Sequence, residues 1–96
     1  DLGLTEAVPP AILYHGTATK YVDSILAKGL VRGTRNHVHL SADLETASQV
    51  GKRHGILVIF SVDTAAMLKD GLSFHLSDNG VWLTEKVPAK YLTKIG

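Results

Sequence analysis

Apolar positions along this chain fall into short blocks, and the spacing inside each block changes from one to the next. Ala11 to His15 (AILYH) is rich in strand formers and runs into Gly16 and Thr17, which predicts a buried strand over 11–15 opening into a turn. Tyr21, Val22, Ile25 and Leu26 then share one helical face, with Thr17 or Thr19 available as the cap and Gly29 as the stop. Residues 29–36 read as a basic loop. In His37-Val38-His39-Leu40-Ser41 the period switches to two, so His37, His39 and Ser41 share one face and Val38 and Leu40 the other. Asp43 is placed to cap a second helix over 44–55, whose stripe of Leu44, Ala47, Val50 and Gly51 is apolar but narrow. Ile56 to Val62 is continuously apolar and dense in β-branched residues, as expected of a central strand covered on both faces. A short capped helix follows over 63–71. The segments 72–77 and 81–84 flank Asp78-Asn79-Gly80, a hairpin signal. Pro88 sits in a turn or at a first helical position.

The first ten residues hold two acids, a glycine and the pair Pro9-Pro10, which reads as a helix-free linker over 1–10. The blocks after it make one α+β domain over 11–96. Composition agrees, at 45% hydrophobic and 20% charged, which is the balance of a globular chain. No apolar run approaches the roughly 18–20 residues of a membrane span, and no secretory signal pattern is visible, so a cytoplasmic location and no membrane partner are expected. The absence of cysteine removes disulfides and thiolate metal sites. A net charge of +1 supplies no general field for nucleic acid, so any such contact must rest on a few placed cations.

Those cations and the histidines carry the candidate chemistry. His37 and His39 have a spacing that metal sites use, but no third ligand is signposted, and no metal is expected. His15 and His39 differ from the other histidines in sitting where strands meet loops, beside Gly16-Thr17 and Ser41. There, ring nitrogens and backbone amides both reach a ligand, and Gly16 allows the backbone to approach a flat ring closely. Arg32 and Arg35 flank Gly33-Thr34, and a guanidinium there suits a phosphate, which it holds through paired N–H bonds. Arg53 is either a charge complementing a helix C-terminus or a pocket cation. No dinucleotide fingerprint, phosphate-binding loop, nucleophile motif or paired carboxylates appear. Chemistry built from His, Arg, Ser and Thr suits an anionic substrate.

Taken in order, LYHGTA (13–18), Gly29-Leu30, Arg35, HVHLSAD (37–43), VGKRHG (50–55), NGVWLT (79–84) and VPAKYL (87–92) resemble the C-terminal lobe of the RNA 2′-phosphotransferases, the KptA-like branch of the ADP-ribosyltransferase superfamily. The likeness runs over nearly the whole chain, and residues 1–10 look like that family's inter-lobe linker. The resemblance implies an ADP-ribosyltransferase-like split β-sheet with short flanking helices, binding NAD as a co-substrate. It places His15, Gly16 and Thr17 against the nicotinamide and its ribose, with His39, Ser41 and Arg53 nearby. Val81 stands where many relatives carry a catalytic glutamate, and Arg35 matches the one catalytic arginine of this lobe. The implied reaction moves an internal 2′-phosphate of RNA, notably tRNA, onto NAD. The family's N-terminal winged-helix-like lobe, with its Arg-His pair, is not among these residues, and a monomer is expected. Two alternatives stand beside this reading. One is an ADP-ribosyltransferase acting on another acceptor, such as a nucleic-acid-targeting toxin-like domain. The other is a non-catalytic NAD-binding fragment.

Overall fold

The computed structural model describes residues 4–96. Its central strand is β5 (Leu57–Asp63), flanked by β2 (Ile12–Ala18) and β9 (Leu92–Lys94) in an antiparallel three-stranded sheet. The continuous apolar run has a direct cause. Val58, Phe60 and Val62 face the main core on one side, and Ile59 is buried on the other, the side that carries α2 (Leu44–Lys52). Asp43 caps α2 as expected, its carboxylate accepting from the Thr46 N–H at 2.7 Å. That bond holds the Asp43 carboxyl below its ordinary range.

β2 runs three residues further than the apolar block suggests. Gly16, Thr17 and Ala18 continue the ladder opposite Ile59, Val58 and Leu57. Thr17 is therefore a strand residue rather than a helix cap. A 3₁₀ turn over Thr19–Tyr21 leads into α1 (Val22–Lys28), and neither carries a side-chain cap bond. Of the expected apolar face only Ile25 is buried, whereas Tyr21 and Leu26 are exposed. Gly29, at φ 78°, stops the helix by adopting the left-handed conformation that L side chains avoid.

A short ladder joins β3 (Leu30–Val31) to β8 (Lys86–Val87). The second main sheet has the order β1-β6-β7-β4, all antiparallel, formed by Leu4–Glu6, His75–Ser77, Trp82–Thr84 and Val38–Leu40. β6 and β7 are the expected hairpin around Asn79-Gly80. α3 (Thr64–Lys69) is capped by Asp63, and Pro88 precedes a 3₁₀ turn over Ala89–Tyr91. Leu4–Glu6 lies in the segment read as a linker and pairs with β6 as the sheet's edge strand, while residues 1–3 of that segment lie outside the described residues. Register and alternation put Leu40, Trp82, Leu76, Val38 and Thr84 on the core face of this sheet. His39, Leu83 and His75 form a row across the opposite face. No helix among the described residues is long and apolar enough to cross a membrane.

The two sheets pack their apolar faces on a shared core. Among the described residues β2 and β4 are joined edge to edge by one bridge, Tyr14↔Ser41, closed by two N–H···O bonds of 2.9 Å. Beyond it β2 and β4 diverge, and the gap between them is the important feature of the fold. Because Tyr14 turns its N–H and C=O toward β4, the two-residue repeat aims those of Gly16 into the gap as well.

Candidate functional site

A cavity of about 530 Å³ opens where β2, the loop before β4, β4 itself and the C-terminal end of α2 converge. His15, Gly16, Thr17, Arg35 and His39, which the sequence set apart, all line it. Each has a positional reason. His15 is opposite Phe60 in the β2–β5 ladder, so its ring leaves the core face at the mouth of the gap. His39 is opposite Leu83, between buried Val38 and Leu40, and so must face away from the core. Arg35 follows Gly33, whose φ of 60° turns the loop back toward β4.

Hydrogen-bond chemistry fixes the two imidazoles in opposite senses. The His15 Nδ1–H donates to the His39 carbonyl at 3.2 Å, since a carbonyl oxygen accepts and never donates. The Arg35 Nη1–H donates to His39 Nδ1 at 2.6 Å, since a guanidinium donates and never accepts. For neutral rings, His15 Nε2 is then a bare acceptor and His39 Nε2–H a donor. Both rings are biased toward the neutral form. Burial pushes the His15 pKa below its ordinary value, with His54 and His39 adding to the effect and the bond to the His39 carbonyl opposing it. His39 is lowered by desolvation first, then by the Arg35 guanidinium and by His37.

An acceptor and a donor side by side suit a hydroxyl-bearing ring. The cations suit an anion: Arg32 and Arg35 line the cavity, and Arg32 Nη1 donates to the Arg35 carbonyl at 3.2 Å. Among the described residues the lining holds no carboxylate. No group of three or more His, Asp or Glu side chains among them gathers as a metal site.

Three singled-out residues lie outside the cavity lining. Ser41 forms the bridge to Tyr14, Arg53 is the exposed C-terminal cap of α2, and Val81 sits in the β6–β7 turn, its N–H donating to the Ser77 hydroxyl. Conversely, Tyr21 and His54 line the cavity without having been marked for it. Their rings meet edge to face at 6.3 Å between centroids. Tyr21 reads as a core position of a helix, and the 3₁₀ turn that swings it outward has no signal in the apolar pattern. His54 reads as a helix-end charge. What brings both to the cavity is the contact between their two rings, which is tertiary.

The lowered imidazole values give a pH dependence with a definite sign. Below the ordinary histidine value of about 6.5 the unfolded chain binds protons that folded His15 and His39 resist, so stability falls as pH drops. Urea midpoints are expected to be level above about pH 7.5 and to decline as the pH falls through about 6.5. The double variant His15→Gln/His39→Asn should show a shallower decline. Equal slopes for the two proteins would mean that these rings are not the cause.

Comparison with known sequences gives a consistent answer. Residues 2–86 match the family described as "RNA 2'-phosphotransferase, Tpt1 / KptA family". A curated relative from Hahella chejuensis, named "Probable RNA 2'-phosphotransferase", is 57% identical over 93 residues, covering 97% of this chain and 50% of the relative. Relatives of the same name from Nostoc punctiforme and Fusobacterium nucleatum are each 55% identical, over 99% and 96% of this chain and 52% of their own lengths. The chain thus spans about half the length of the curated relatives it matches.

Proposed function

Since the chain belongs to the Tpt1/KptA family of RNA 2′-phosphotransferases, we propose that its cavity is the NAD site of an NAD-dependent RNA 2′-phosphotransferase, built on an ADP-ribosyltransferase-like split sheet. The reaction proposed transfers an internal 2′-phosphate of RNA, such as a spliced tRNA, to NAD. Its products are ADP-ribose 1″,2″-cyclic phosphate, nicotinamide and RNA with a 2′-hydroxyl. The observation that carries this reading is the opposed His15–His39 pair beside Arg35 in a lining without carboxylates.

The residues present fit the co-substrate. A cavity of about 530 Å³ is of the size that takes a small ligand or much of a dinucleotide. NAD supplies an electrophilic ribose carbon and nicotinamide as leaving group. His15 Nε2 accepts from one ribose hydroxyl and His39 Nε2–H donates to an oxygen of the same ring. The Gly16 N–H and C=O, aimed into the gap, match the donor and acceptor of a carboxamide. Arg35 faces the RNA phosphate, with Arg32 beside it in the lining. Ser41 acts through the bridge that sets the spacing of His15 and His39. Arg53 and Val81, outside the lining, are assigned no contact.

A lining without carboxylates has a chemical rationale. A 2′-phosphate is an anionic nucleophile that needs no base to activate it, and a carboxylate beside it would repel it. A guanidinium there offsets the negative charge that builds when a ribose hydroxyl attacks the transferred phosphate.

Titration with NAD is expected to move the amide resonances of His15, Gly16, Thr17 and His39 before any others; no movement there would end this reading. Added RNA bearing an internal 2′-phosphate should then release nicotinamide and the cyclic phosphate. ADP-ribose left on an unphosphorylated acceptor would instead make the protein a transferase of another kind.

A further inference from the structure

A second groove of about 390 Å³ adjoins the cavity and shares Arg32 and His37 with it. Its remaining walls come from elements that the NAD site does not use. One is β6, through His75, and the others are the loop at Gly71–Ser73 and the start of β8 at Lys86. The His37 and His75 rings lie 6.2 Å apart between centroids, tilted by 51°. This pairing follows from the topology, because His39, Leu83 and His75 stand in one register row and His37 lies two residues from His39 on the same face. Glu85 is the one carboxylate among the lining residues, set against Arg32 and Lys86. Glu6, opposite His75 in the β1–β6 ladder, is the other acid close to this row.

We propose that this groove is the track for the RNA strand flanking the 2′-phosphorylated nucleotide. The proposal rests on the reading of the first cavity as the reaction site. Three observations favour it. The two grooves share Arg32 and His37 as lining residues, so a strand whose 2′-phosphate is held at Arg35 reaches the second groove past those two side chains. Arg32 and Lys86 supply cations for successive phosphodiesters, against one lining carboxylate. Two neighbouring imidazole rings offer planar faces for a splayed base, which is how single-stranded RNA is gripped and a paired stem is not. The groove therefore selects single-stranded RNA of more than two nucleotides, with little dependence on base identity.

The test compares two probes on the wild-type chain, a uridine dinucleotide and a single-stranded uridine hexamer, each with one internal 2′-phosphate. The hexamer is expected to bind roughly tenfold more tightly and with a steeper salt dependence, and to shift His37 and His75 resonances that the dinucleotide leaves in place. Lys86→Glu, at an exposed position, should cancel most of that gain, and adding His75→Ala should cancel the rest. Affinity for NAD and for the dinucleotide should be unchanged in both variants. If NAD and the dinucleotide bind but the hexamer gains nothing, or if Lys86→Glu leaves its gain intact, the track is wrong while the NAD site stands. If neither RNA binds and NAD moves no resonance at His15 or His39, the underlying reading fails and takes the track with it.

Discussion

Replacing Gly16 by alanine is expected to cost the domain about 3 kcal/mol or more, the upper range for overpacking a filled interior. A Cβ at this position would lie 1.7 Å from the Ala47 carbonyl oxygen, 2.7 Å from its carbon and 2.9 Å from the Gly51 nitrogen. All three are backbone atoms of α2, which no side-chain rotation moves aside. The contact is reciprocal, since a Cβ on Gly51 would meet Thr17 N and O at 2.8 and 2.9 Å. Gly16 does not have a positive φ and stays in ladder register with Ile59, so its need is for space rather than conformational freedom. Gly71→Ala gives the contrast. At φ 92° with nothing within 4 Å of the new methyl, it should cost only about 1 kcal/mol. Urea unfolding of the two variants decides the matter, and equal midpoints would mean that α2 slides away freely. Where Gly16→Ala remains folded, displaced α2 should also weaken NAD binding, because Val50 and His54 on and just beyond this helix line the cavity.

This contact also shows where sequence reasoning stops. From the string alone, Gly16 reads as room left for a ligand. The structure fills its Cβ side with a helix and turns its peptide groups toward the gap instead. Part of the period and cap pattern was legible: β5 as a central strand, the alternation of His37 to Ser41, the Asp43 cap and the Asn79-Gly80 hairpin follow from local physics. The threonine cap and apolar face expected of α1 do not hold. His15, Arg35 and His39 were legible as candidates because they carry hydrogen-bonding or charged groups where apolar strand segments meet small polar or basic loop residues. What local physics does not contain is which face another element covers. Tyr21, on the 3₁₀ turn, and His54, just beyond α2, line the cavity together, and His75 meets His37 across an intervening strand. Leu4–Glu6 joins a sheet whose partner strand lies some seventy residues further along, which no nearby pattern announces.

Arg35 is expected to separate two roles that one guanidinium performs. Its Nη1–H bond to His39 Nδ1 fixes the tautomer of that ring, and its charge helps to keep the ring neutral. In the proposed reaction it also faces the phosphate. Arg35→Ala should therefore cut turnover of 2′-phosphorylated RNA about 10²- to 10³-fold, the cost of deleting one charge-stabilising donor. It should also raise the His39 pKa toward its ordinary value, because the charge that depressed it is gone. Arg35→Lys divides these effects. The retained charge should hold the His39 pKa down, while turnover stays low because an ammonium cannot reproduce the paired N–H geometry on a phosphate. Imidazole resonances followed across pH, alongside nicotinamide release, measure both quantities on the same protein. Full turnover with lysine would reduce Arg35 to a point charge. Full turnover with alanine would remove it from the phosphate altogether, and loss of NAD affinity in place of turnover would move it into the co-substrate site. With those outcomes excluded, neutral His39 and the phosphate are served by one side chain, so the protonation state of the ring and the handling of the anion are coupled by construction.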